Sequence, residues 1–191
     1  MTAHILVVED DESFVEELKQ IIADSGGPAL PIFVTNRDDA VAKLESNFFD
    51  FAILDLKIPT ALGTTDFDPE HGKYVFFHIR KVSPGTKILV LTGSPSDDFI
   101  APLLVQKHDA DIWSEGAKID TIEFLKKIEL DQAPEKISRV VSAIHALSDI
   151  ELHTNGLNLS TGEDRLIRIF AKHFKADGLD GSRSRHLGAK M

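Results

Sequence analysis

The stretch HILVVEDD, His4 to Asp11, decides the fold. Ile5 to Val8 are all apolar and three of them are β-branched, the pattern of a strand covered on both faces. The run then meets four acids in a row, Glu9, Asp10, Asp11 and Glu12. Neighbouring carboxylates repel, so a strand that ends on them needs a reason to do so.

Working outward, the same alternation repeats. Residues 11–26 carry Phe14, Leu18, Ile21 and Ile22 at helical spacing, with Gly26 at the end. Strands are predicted at 31–35, 49–56, 86–93 and 110–113. Helices are predicted at 36–47, capped by Asn36, at 72–83, at 97–108 and at 120–130, capped by Asp120. Five strands alternating with five helices predict an α/β fold, a doubly wound five-stranded parallel sheet with helices on both faces. In such a sheet the functional site lies beyond the carboxyl ends of the strands.

Composition narrows the chemistry. The 191 residues have 42% hydrophobic and 27% charged content, ordinary for a globular protein, and a net charge of -10. That charge disfavours a general nucleic-acid or anionic-membrane surface. There is no cysteine, hence no disulfide and no thiolate ligand or nucleophile. No secretory signal and no membrane-spanning run is visible, and the chain is read as cytoplasmic.

The strand ends bring acids together. Strand one delivers Glu9 and Asp10, strand three delivers Asp55, and strand four delivers Thr92. Converging carboxylates without His or Cys favour a hard cation, Mg²⁺. A carboxylate beside Mg²⁺ can attack phosphorus and become an acyl phosphate, and a hydroxyl such as Thr92 could bond the new phosphoryl oxygens. Taken singly, acids at strand ends are often helix caps. Asp55 is harder to read that way, because it follows four apolar residues in a buried strand.

With "VVEDD", "ILDLKIP" and "VLTGS" in hand, residues 4–130 resemble the receiver domain of two-component response regulators, a flavodoxin-like fold. The resemblance implies that Asp55 is the phosphoacceptor. It implies that Glu9 and Asp10 hold Mg²⁺ with Asp55 and the backbone carbonyl of Lys57, and that Thr92 is the switch hydroxyl. The implied partner is a sensor histidine kinase or a phosphotransfer protein. The protein is then a self-phosphorylating phosphoacceptor instead of a conventional enzyme.

Two features depart from the family pattern. A Lys-Pro pair is expected after strand five; "DADIWSEGAKID" offers only Lys118, which becomes the candidate phosphate partner. Trp113 falls near the family's aromatic switch position, and equally reads as a rim residue. The loop between Pro59 and Gly72 is also enlarged, and its Asp66, Asp68, Glu70 and His71 read as a solvated acidic loop ahead of a second metal site. These departures motivate an alternative, a pseudo-receiver serving as a protein-interaction module. A haloacid-dehalogenase-type phosphotransferase is disfavoured, because Lys57 stands where that family needs an acid. A dinucleotide fold lacks its glycine-rich loop.

Domain boundaries are expected at 1–131 for the receiver and 132–191 for a C-terminal helical extension. The extension is either a dimerisation element or the start of an output domain. Its first helix, opened by Pro134, bears a stripe of Ile137, Val140, Val141, Ile144 and Leu147, which must cover the receiver or a twin in a homodimer. A second helix follows a capping box at Ser160 or Thr161. It is similar to the first helix of some helix-turn-helix domains, but no recognition helix follows, so DNA is disfavoured as a partner.

Overall fold

The computed structural model describes residues 1–93, 103, 105, 109–110, 119–174 and 178–180. Five parallel strands form one sheet: β1 (Ala3–Val8), β2 (Ala29–Val34), β3 (Phe51–Asp55), β4 (Lys87–Thr92) and β5 (Ile122–Lys126), in the order β2-β1-β3-β4-β5. The helices are α1 (Glu12–Ala23), α2 (Arg37–Ser46), α3 (Pro69–Val82), α4 (Ala133–His145) and α5 (Thr161–His173).

Strand alternation divides the core in two. Ile5, Val7, Phe51, Ile53, Leu89, Leu91 and Leu125 face Leu18 and Ile22 of α1 and Ile137, Val140, Val141 and Ile144 of α4. Leu6, Val8, Ala52, Leu54, Ile88, Val90 and Ile122 face Leu44 of α2 and Val75, Phe76 and Ile79 of α3. Each such buried aliphatic side chain contributes roughly 1.5–3 kcal/mol, and these two layers hold the strand ends in register.

Two sequence expectations are corrected, and a third falls almost wholly outside the described residues. The fifth strand is Ile122–Lys126, paired in parallel with β4, and not 110–113. Asp109–Ala110 pairs antiparallel with Ile119–Asp120, away from the main sheet, and residues 111–118 lie outside the described residues. The helix expected over 120–130 is therefore β5 followed by a 3₁₀ segment, Lys127–Gln132. Ile122, Leu125 and Ile128 mimic helical spacing, but Ile128 is 90% exposed. The true period is two: Ile122 and Phe124 belong to one layer, and Leu125 to the other. The helix expected over 97–108 falls almost wholly outside the described residues; Leu103 is buried with the α2–α3 layer.

The stripe on α4 covers the receiver's own sheet, so the expected boundary at 131 separates β5 from a helix in the same core. Beyond α4 the chain passes through a 3₁₀ turn, Ala146–Asp149, and a three-residue strand, Glu151–His153, paired with Gly178–Asp180. α5 opens with the capping box Ser160–Glu163. Its polar anchor at the amino-terminal edge of the sheet is Arg165. Arg165, 3% exposed, donates from Nε to Asp50 Oδ1 at 2.6 Å and from Nη2 to Asp50 Oδ2 at 3.2 Å and to the carbonyl of Thr2. Asp50 also accepts from the His4 amide at 2.9 Å, so both partners of this buried pair are satisfied.

Candidate phosphoacceptor and metal site

The sheet register builds the site. Val8 lies opposite Leu54, so Glu9 follows beside Asp55; Asp55 lies opposite Leu91, and Thr92 lies opposite Lys126. The carboxyl edge therefore gathers Glu9 and Asp55 at one level, with Thr92 one residue and Lys127 two residues farther along. Glu9, Asp55 and Thr92 are buried, and Asp10 is half-buried. Asp11 turns away to cap α1, accepting from the amides of Ser13 at 2.9 Å and Phe14 at 3.4 Å.

Glu9, Asp10 and Asp55 each offer one oxygen within 4.8 Å of the others. At that spacing each ionised pair repels by about 3–4 kcal/mol at an effective dielectric near 20. Among the described residues, one cation answers them. Lys127 Nζ lies 2.9 Å from Asp55 Oδ2 and 2.8 Å from Glu9 Oε1, and rests 4.5 Å from the centre of the Phe14 ring. Burial pushes its ammonium down, but hydrogen bonds to Asp55 and Glu9 outweigh this and hold it above the usual lysine range.

One ammonium does not neutralise three carboxylates. Burial and the nearby Asp55 push the Glu9 carboxyl up to about 7, against the relief from Lys127. Burial and Asp55 also raise Asp10. The Lys127 ammonium stands 2.8 Å from both Glu9 oxygens and is the one cation that meets this buried carboxylate among the described residues. Three carboxylates and one lysine leave two negative charges when all are ionised. An all-oxygen donor set, with its atoms within 4.8 Å of one another and that charge deficit, fits a hard divalent cation.

Lys118, the sequence candidate for the phosphate partner, lies outside the described residues, as does Trp113. Sequence reasoning missed Lys127, which sits one residue beyond β5 as Asp55 ends β3. The "LKK" at 125–127 was the available signal, hidden by the helical reading of 120–130. The family's proline after this lysine is replaced by Ile128. Lys57 sits beside the site, its amide donating to Asp55 Oδ1 at 3.2 Å.

The enlarged loop has structural work for its acids. Asp66 accepts from the Thr60 amide at 3.0 Å and from the hydroxyls of Thr60 at 2.5 Å and Thr64 at 2.7 Å. Asp68 caps α3 through the Glu70 amide, and His71 Nδ1 lies 2.9 Å from the carbonyl of Ile58. Among the described residues the loop contributes no metal-ligating cluster. Gly72 lets α3 press on the segment after Asp55: a Cβ there would fall 2.4 Å from the backbone of Leu56.

Comparison with known proteins bears on the family and the fold. Residues 5–112 match the model of the response regulator receiver domain. A response regulator receiver protein of Anaeromyxobacter sp. (strain Fw109-5) is 28% identical over 93 residues, 49% of this chain and 34% of that protein. The chain thus spans about a third of that relative's length. A signal receiver domain from Vibrio parahaemolyticus superposes with a TM-score of 0.53 at 25% identity, covering 75% of this chain and 93% of that one. A CheY-like receiver domain from Methanospirillum hungatei JF-1 gives 0.51 at 23% identity, covering 73% and 97%.

Proposed function

The chain belongs to the response regulator receiver domain family, and on that premise we propose that it accepts a phosphoryl group on Asp55 from a sensor histidine kinase or a phosphotransfer protein. The observation that carries this reading is the Lys127 ammonium between Glu9 and Asp55 at the edge where all three strand ends meet. The pseudo-receiver alternative rested on a missing lysine and an enlarged loop; Lys127 removes the first reason, and the loop's Asp66, Asp68 and His71 are engaged in holding the loop and capping α3.

Glu9, Asp10, Asp55 and the Lys57 carbonyl would hold Mg²⁺, which when bound draws the donor's phosphoryl oxygens in and offsets their charge. An Asp55 oxygen attacks phosphorus, the bond from phosphorus to the donor's imidazole nitrogen breaks, and the imidazole leaves with that electron pair. Lys127 stays within reach of Asp55 and pairs with the new phosphoryl oxygens. Thr92, at the next strand end, donates its hydroxyl to them. The resulting shift at the β4 and β5 ends would pass to the helices that follow, biasing a two-state equilibrium.

The receiver unit in this reading extends through α4 to about residue 149, and the remainder is an appendage. A cytoplasmic location fits, as no helix among the described residues is long and apolar enough to cross a membrane. A homodimer is the assembly we favour, and DNA remains disfavoured. The test is incubation with Mg²⁺ and a small acyl phosphodonor, read by intact mass. Gain of one phosphoryl group that Asp55→Ala abolishes supports the reading; no gain, or an equal gain in that variant, overturns it.

A further inference from the structure

α5 has two apolar aspects, and only one is covered. Its inner side is pinned by the Arg165–Asp50 pair, by Ala171 and Ile169 against Leu147 and Ile150, and by Arg168 Nη1 bonding the carbonyls of Leu147 and Ile150. Its outer side presents Leu166, Phe170 and Phe174, which are 67%, 62% and 64% exposed. The rings of Phe170 and Phe174 pack on each other, 4.7 Å apart. A helix clamped this firmly cannot roll its aromatic stripe inward, and a contiguous apolar patch on a fixed helix marks an interaction surface.

The charge pattern selects the occupant. Glu163 and Asp164 lie in the first turn of α5, Lys172 and His173 in the last. Glu163, Leu166, Phe170 and His173 share the exposed side. Set two copies antiparallel with Leu166 opposite Phe170. Glu163 then falls opposite His173, because 163 and 173 have the same midpoint as 166 and 170. Acidic turn meets basic turn at both ends, and the helix dipoles oppose favourably. A parallel pair would set acid against acid.

We propose that the Leu166–Phe170–Phe174 face of α5 is a homodimer interface, with two copies of the helix packed antiparallel about a two-fold axis near residue 168. It deepens the homodimer reading above and rests on it for stoichiometry alone. Arg165 anchors α5 at the edge where β1 and β3 begin, whereas Asp55 lies where β3 ends. The interface therefore leaves both phosphoacceptor sites open to a donor. One helix pair is smaller than a standard interface of about 1,200–2,000 Å², so the association is a weak one.

Sedimentation equilibrium of the full chain across the micromolar range should show a monomer–dimer equilibrium. Leu166→Glu or Phe170→Glu should weaken it at least tenfold while leaving unchanged the thermal midpoint measured at concentrations where the wild type is monomeric, since both side chains are in solvent in the monomer. The chain has no cysteine, so the register can be read by disulfide trapping. A mixture of L166C and F170C protomers should cross-link faster than either alone. A monomer at every concentration overturns both the dimer and its surface, even if another protein binds the stripe. A dimer indifferent to both glutamates overturns this surface but leaves the homodimer standing. Fastest linkage of F170C to itself overturns the antiparallel register.

Discussion

The Lys127 ammonium lies 2.9 Å from Asp55 Oδ2 and 2.8 Å from Glu9, although 72 and 118 residues separate it from them in the chain. It is the only lysine or arginine among the described residues paired with the acids of the sheet edge, which makes its removal informative. In Lys127→Ala the phosphoryl oxygens lose a charge-assisted hydrogen bond, worth about 1.5–3 kcal/mol. Phosphorylation of Asp55 by a small donor should slow by tenfold or more, whereas Lys118→Ala should stay within about twofold by the same logic. Quench-flow with intact-mass detection decides between the two lysines.

Glu9 makes the metal-free protein sensitive to pH. Its carboxyl is pushed up from 4.5 to about 7 by burial and by Asp55. A carboxyl raised on folding is protonated more readily in the folded state than in the unfolded one. Its contribution therefore favours the fold at low pH and is lost as pH rises from about 4.5 to about 7. The loss is on the order of 3 kcal/mol. Urea titrations without metal should show that slope. Glu9→Gln should flatten it, and a wild-type profile as flat as the variant's would contradict the assignment.

Arg165 and Asp50 predict an asymmetry. Arg165→Ala leaves the Asp50 carboxylate buried with only the His4 amide to answer it, at a cost of about 3–5 kcal/mol. The double variant Arg165→Met with Asp50→Asn removes both charges and should be clearly less destabilised. Denaturant midpoints measure this, and hydrogen exchange should report the loss first in α5.

Gly72→Ala should destabilise by about 1–3 kcal/mol, because the added methyl meets the Leu56 backbone and neither backbone segment can move freely. The displacement falls next to Asp55, so phosphorylation should slow together with the thermal midpoint. An alanine variant as stable as wild type would show that α3 can slide.

Asp66 ties the tip of the enlarged loop back to Thr60 and Thr64. Hydrogen bonds from Thr60, then Thr64, keep its carboxyl well below the usual carboxylate range. Asp66→Ala should raise protease sensitivity within 60–68 while changing global stability little, as the loop is exposed. Limited proteolysis with mass mapping checks it.

Much of this was legible in the sequence. Ile5–Val8, Ala52–Leu54 and Ile88–Leu91 read as buried strands because a strand covered on both faces tolerates few polar residues. That rule also made Asp55 conspicuous. The edge strand β5 reads otherwise: Glu123 and Lys126 interrupt it, and an accidental i, i+3 spacing of Ile122, Leu125 and Ile128 imitates a helix. Glu123 is tolerated there because Lys87 and Lys136 reach it at 2.8 Å from β4 and α4, partners that no local window contains.

The sequence by itself determined the alternating α/β plan, the phosphoacceptor candidate and the acids around it, because hydrophobic period and strand-end chemistry are local properties. Only the tertiary structure decided which lysine answers those acids, that the α4 stripe belongs to the receiver core, and that Arg165 clasps Asp50. Each of these is a pairing across the fold. Its energy depends on burial and on distances of about 3 Å between residues far apart in the chain, and neither is written in sequence spacing.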